Sequence, residues 1–202
     1  MMAFKIKGIT VEITFYFAAL IAFMLSMRAP TDVLIAVFSS LFHETGHLAA
    51  MFWVGNAPQA VRFELTGMNI KRRQSTKISM KNELIIALGG PFANLVLFVI
   101  FCFLYAFRKA EILLHISCIN LMLMIFNLLP IKRLDGGMAL YFFLSQKHDA
   151  AVCSLVLKIT SVIFICIVYA WGIYVFAVGG YNISVIIIAI FLTLSMFGNY
   201  EY

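Results

Sequence analysis

Long apolar runs broken by short polar stretches set the pattern of this chain. A helix that crosses the hydrocarbon core of a bilayer needs about 20 mostly apolar residues. Runs of that order predict helices over 9–27, 33–54, 83–107, 112–130, 152–178 and 182–198. The connections at 28–32, 108–111 and 179–181 are short, whereas 55–82 and 131–151 are long and basic. Inside the first long connection the pattern changes to period two. Val61, Phe63 and Leu65 alternate with Arg62, Glu64 and Thr66, Gly67 interrupts, and Met68 to Lys71 alternates again. This predicts a small β-hairpin beside the bilayer. After Asp135, the apolar stretch 138–146 is too short to span and predicts a helix lying in the interface. The expected architecture is an all-α polytopic membrane protein with six transmembrane helices and a small cytoplasmic-side β-hairpin, a single domain over 1–202.

Composition supports this reading. Hydrophobic residues make up 63% of the chain and charged residues 12%, where a soluble domain carries roughly a quarter charged. Six spans leave no room for a separate soluble domain. A net charge of +6 would suit nucleic acid in a soluble protein. In a membrane protein the excess Lys and Arg marks the cytoplasmic loops. If the termini and long loops share one side, that side holds eleven basic residues: Lys5, Lys7, Arg62, Lys71, Arg72, Arg73, Lys77, Lys81, Lys132, Arg133 and Lys147. The other side holds three, Arg28, Arg108 and Lys109. Both termini are therefore expected in the cytoplasm, in a multi-pass protein of the cell membrane. Lys158, near the start of the fifth predicted helix, is expected to snorkel. The four cysteines, Cys102, Cys118, Cys153 and Cys166, lie in apolar runs and read as packing residues. The first span lacks a small-residue cleavage site and reads as a retained helix.

The chemistry concentrates in His43-Glu44-Thr45-Gly46-His47. Histidines at i and i+4 stand one turn apart on one helix face, where both can grip one metal while the Glu between them faces a polarised water. A packing cluster is the bland alternative, but two histidines and a carboxylate in lipid cost several kcal/mol unless they are paired or functional. A catalytic zinc takes three protein ligands and keeps one position open. The remaining candidates are Glu12, Asp32, Glu64, Glu83, Glu111, Asp135, Asp149, Glu201, His115 and His148. Asp135 stands out because it follows Pro130 at the same end of the bundle and precedes Gly136 and Gly137, which would permit a tight turn. An ordinary Asp-Gly turn is the competing reading.

Three motifs in order, His43-Glu44-Thr45-Gly46-His47, Gly89-Gly90-Pro91-Phe92-Ala93-Asn94 and Asn127-Leu128-Leu129-Pro130 continuing to Asp135-Gly136-Gly137, resemble the signatures of the site-2 protease family of intramembrane zinc metalloproteases. Their spacing most resembles the branch of the stage IV sporulation protein FB. The resemblance covers nearly the whole chain. It implies an enzyme that cuts proteins within or beside the membrane, with one Zn2+ per chain on His43, His47 and Asp135 and with Glu44 as base. The catalytic core would be the helices near 33–54, 83–107 and 112–130. The implied partners are a membrane-embedded or membrane-bordering substrate, regulatory membrane proteins and the lipid bilayer, with no nucleic acid. Asn127 and Pro130 are implied in the cleft, and by comparison with some relatives of that family no PDZ-like insertion and no nucleotide-binding regulatory domain are expected.

Beside that, Asn94 reads either as a brace between helices or as a substrate contact, and Asn127 either as a substrate contact or as a brace. His115 reads as a packing or interfacial residue. No Ser-His or Gly-x-Ser-x-Gly pattern competes as a nucleophile. The rival functions are a metal or proton carrier using the His pair, or an inactive adaptor, against which the intact metal set argues. Reporter fusions at residue 202 and within 28–32 should report opposite faces of the membrane. A C-terminal reporter on the outer face overturns the topology.

Overall fold

The structure, a computed structural model, describes residues 2–6, 9–13, 30–58, 60–64, 67–71, 78–178 and 183–196. Strands β1 (Met2–Ile6) and β2 (Ile9–Ile13) precede helix α1 (Pro30–Trp53). Strands β3 (Ala60–Glu64) and β4 (Gly67–Lys71) follow, then α2 (Met80–Arg108) and α3 (Glu111–Asn127). A short helix α4 (Asp135–Leu144) leads to α5 (Ala150–Val178) and α6 (Ser184–Met196).

The strands form one sheet in the order β1-β2-β3-β4. The outer pairs are antiparallel, with Phe4 opposite Val11 and Phe63 opposite Met68, and the central pair is parallel, with Val11 opposite Val61. A parallel pair needs a crossover, and here the connection includes α1. This corrects the first predicted helix: Ile9–Ile13 are strand, and residues 14–27 lie outside the described residues. The reason is visible in the residues, where β-branched Ile9, Val11 and Ile13 alternate with polar Thr10 and Glu12. An all-α description is likewise corrected to a helical core carrying a four-stranded sheet. Among the described residues, three helices are long and apolar enough to span: Thr31–Trp53, Met80–Arg108 and Ala150–Val178. Glu111–Asn127 and Ser184–Leu194 are shorter apolar helices.

Local chemistry sets the helix limits. The Ser79 side chain accepts from the Asn82 amide and caps α2, which Lys109 ends in the left-handed conformation at φ 52°. Helix α3 stops at Asn127, short of the predicted 130, because Leu128 caps it and Pro130 follows. Most of the predicted stretch 138–146 belongs to helix α4, which begins at Asp135 itself and ends at Leu144.

The glycines of two motifs hold backbones together. A Cβ on Gly46 would run into the carbonyl of Gly89, and one on Gly89 into the carbonyl of Gly46 and, at 2.9 Å, the Ala50 methyl. Helices α1 and α2 therefore cross in backbone contact, as small residues allow in membranes. Gly136 and Gly137 are helical and hold no tight turn, which corrects that expectation. Their missing side chains admit the carbonyls of Leu128 and Ile131, so the segment after α3 folds directly over the start of α4. Ile131 and Leu134 pack with Ile165 of α5 and Leu192 of α6, and the Ser161 hydroxyl accepts the Lys132 amide at 2.9 Å. The turn that delivers Asp135 is thus clamped from both sides.

Candidate metal centre

His43 and His47 lie on the face of α1 turned toward α2, one turn apart, with ring centroids 4.9 Å from each other. The His47 Nδ1–H donates to the Ile86 carbonyl of α2 at 2.8 Å, which leaves a lone pair on Nε2. That Nε2 sits 3.2 Å from His43 Nε2. Asp135, at the first turn of α4, brings Oδ2 to 2.8 Å from His43 Nε2 and Oδ1 to 3.4 Å from His47 Nε2. One ligand atom from each residue lies within 4.8 Å of the others. Burial would raise the Asp135 carboxyl, but the His43 and His47 hydrogen bonds outweigh it and hold it below its ordinary value.

The residues fit a metal. Two ring nitrogens that aim lone pairs at one point repel unless a proton or a cation lies between them. Ligands about 2.0–2.1 Å from a tetrahedral ion stand roughly 3.3 Å apart, close to the spacings seen here. Gly90 supplies the room: a Cβ there would fall against the Nε2 atoms of both histidines. The donor set, two imidazoles and a carboxylate, is one that zinc accepts with a fourth position open. The Ile86 carbonyl behind His47 is the usual outer support for such a ligand. Glu44 directly follows His43 on α1 and is half-buried.

The other sequence-predicted residues fall elsewhere. Asn94 on α2 is fully buried. Asn127 is half-buried and donates to the Leu123 carbonyl of its own helix at 3.0 Å, and Pro130 is half-buried in the turn after α3. His115 pairs with Asp32 across the starts of α3 and α1 at 3.6 Å, both half-exposed. Among the buried polar residues that the sequence reading did not single out, two form a pair across helices. Asn120 donates to the Ser39 hydroxyl at 3.0 Å, and neither is exposed. The signal was available: Ser39 lies one turn before His43, and Asn120 lies two turns before Asn127 on the same face.

No protein-family model matches the chain. Over 159 residues, 72% of this chain, it is 30% identical to a zinc metalloprotease of Methanocaldococcus jannaschii. The match covers 45% of that protein, so the chain spans less than half the length of this curated relative. The solved structure of a site-2 protease from Methanocaldococcus jannaschii superposes at a TM-score of 0.66, covering 100% of this chain and 97% of that one at 22% identity. The two share one fold. The similarity at this level speaks for architecture, and the chemistry rests on the side chains above.

Metal content of the purified protein tests the centre. His43→Ala, His47→Ala, Asp135→Ala and Gly90→Val should each lose most of the bound metal, the last by filling the space between the histidines. Unchanged metal in all four sinks the assignment.

Proposed function

We propose that the chain is an intramembrane zinc metalloprotease of the site-2 protease family. In this reading His43, His47 and Asp135 hold one zinc and Glu44 is the general base. The observation that carries it is the convergence of two imidazole nitrogens and a carboxylate on a space kept open by Gly90, with Glu44 beside it. The zinc metalloprotease relative and the fold shared with a site-2 protease support it. A bound zinc supplies Lewis acidity toward a scissile carbonyl and makes a water nucleophilic near neutral pH. Glu44 takes the proton of the attacking water and returns it to the leaving amine. The Ile86 carbonyl fixes the His47 tautomer, and the clamped 131–134 turn fixes Asp135.

The substrates are protein segments in or bordering the membrane, and cleavage releases a cytoplasmic fragment such as a transcription factor. A count of six spans, the first of them now beginning after strand Ile9–Ile13, and cytoplasmic termini rest on the hydropathy and charge pattern. Kinship to the stage IV sporulation protein FB branch, and a sporulation role with it, rests on motif spacing alone. Asn127 and Pro130 line the approach to the cleft. A helical substrate hides its backbone and must unwind before attack, and an exposed strand edge can hold the unwound segment. Strand β3 is paired on both sides, so within the 60–71 hairpin the free edge is β4, β1 being the opposite edge of the sheet.

Glu44→Gln decides between protease and carrier. It should keep its zinc and lose cleavage of a co-expressed membrane-tethered substrate by about 100-fold or more; cleavage at the wild-type rate overturns the proposal. Single prolines through Met68, Asn69 and Ile70 test the strand, because each removes one N–H donor and neighbours along an edge point in opposite directions. Cleavage should fall in alternation with zinc content normal. Wild-type rates in every proline variant exclude β4 as the docking edge.

A further inference from the structure

Four buried polar atoms near the candidate centre have no hydrogen-bond partner among the described residues: His43 Nδ1, Asn94 Oδ1, Asn94 Nδ2 and Asn120 Oδ1. Asn94 and Asn120 are fully buried and His43 nearly so. Orphaned polar groups in an apolar interior cost about 1–3 kcal/mol each, more where no bulk water can reach them. Swapping the amide oxygen and nitrogen of Asn94 changes nothing, since both atoms are unpaired.

Helix register places these atoms together. Gly46 faces Gly89 and Ala93 while Gly89 faces Ala50, so α1 and α2 run antiparallel and Asn94 lies level with the residues just before Gly46. Ser117 of α3 donates to the Phe98 carbonyl of α2. Three residues on, Asn120 is then level with the residue three before Phe98, beside Asn94. Asn120 also reaches Ser39, one turn from His43, using its Nδ2 for Ser39 and for the Ile116 carbonyl. Its Oδ1 is therefore an acceptor in need of a donor. The Cδ2–Nε2 edge of the His43 ring faces Gly90, so Nδ1, on the other edge, faces away from that contact. If Nε2 offers its lone pair to a metal, Nδ1 must carry the proton. A donor without an acceptor on His43 and an acceptor without a donor on Asn120 are thus connected through Ser39, one turn from His43. A buried water commonly makes about three hydrogen bonds to such groups.

We propose that Asn94 and Asn120 are positioning residues for His43, holding an internal water that accepts the His43 Nδ1–H and donates to Asn120 Oδ1, with the Asn94 amide completing its shell. It does for His43 what the Ile86 carbonyl does for His47. The inference rests on the metal-centre reading above. Loss of such an outer support typically weakens metal binding by about 10–100-fold.

The test is zinc affinity of the full chain in detergent, measured by chelator competition. Asn94→Leu and Asn120→Leu should weaken zinc binding about 10–100-fold. Asn94→Ser, which keeps a hydroxyl and leaves room for a second water, should stay close to wild type. Leu variants that fold and bind zinc as tightly as wild type overturn the assignment while leaving the metal ligands standing. Wild type that binds no zinc overturns the metal reading itself, and this inference with it. If the Leu variants do not fold, a zinc-loaded structure of the wild type decides. Ordered water in reach of His43 Nδ1 and Asn120 Oδ1 supports the inference. A dry layer, or a side chain bonded directly to Nδ1, refutes it.

Discussion

The crossing of α1 and α2 at Gly46 and Gly89 is the contact on which the rest of the site depends. With no side chain at either position, the two backbones touch. Only at that separation can the His47 ring bridge from α1 to the Ile86 carbonyl of α2 and still leave Nε2 aimed at His43. The same closeness would drive any residue larger than glycine at position 90 into both rings. In lipid, no difference in hydrophobicity presses two helices together, so dispersion contacts and polar contacts must do it. Here the packing contact and the ligand-orienting hydrogen bond are neighbours on one interface, and each holds the other in register.

Asp135 poses a different problem. A carboxylate carried on a spanning helix would need compensation for its own desolvation. This one opens a short helix, where the exposed amides of the first turn favour negative charge. The segment 128–131 covers that turn through Gly136 and Gly137, and Ile131 and Leu134 lock it against α5 and α6. The third candidate ligand is therefore fixed by elements that contribute nothing else to the candidate centre. Disturbing Ile165 or Leu192, far from the histidines in sequence, should be felt at Asp135 through packing alone.

Much of the centre was legible in the sequence because metal binding demands particular side chains at particular helical spacings. His43, Glu44 and His47 are separable from the other acids and histidines on those grounds, whereas Asp135 rests on a family resemblance and on an expected tight turn that the structure replaces with a helix start. The structure brings the three ligand candidates together. The supporting residues were less legible. Gly89-Gly90 reads as generic close packing, and nothing in the string says that one glycine faces a backbone and the other a pair of imidazoles. Ser39 and Asn120 look like ordinary small polar residues in apolar runs until helix register pairs them across 81 positions. The sheet was half legible. Residues 61–71 alternate within a polar loop, whereas Ile9–Ile13 run straight into apolar sequence that masks the same period.

The division of labour between α2 and α3 follows from these constraints. Helix α2 must approach α1 closely at the level of the histidines, and its glycines do that, but the proline that follows removes a helical N–H. A helix that loses a hydrogen bond at the level of the candidate centre gains from a neighbour that ties it in place. Helix α3 fits that part: Ser117 binds the Phe98 carbonyl of α2, and Asn120 binds Ser39 of α1. One helix thus ties together the two that carry the centre, through hydrogen bonds placed one layer away from the reactive groups. Polar residues there cost stability in an apolar interior, and a purely structural tie could have been made with leucines. Their retention at this level makes sense if the layer also sets the orientation and tautomer of His43.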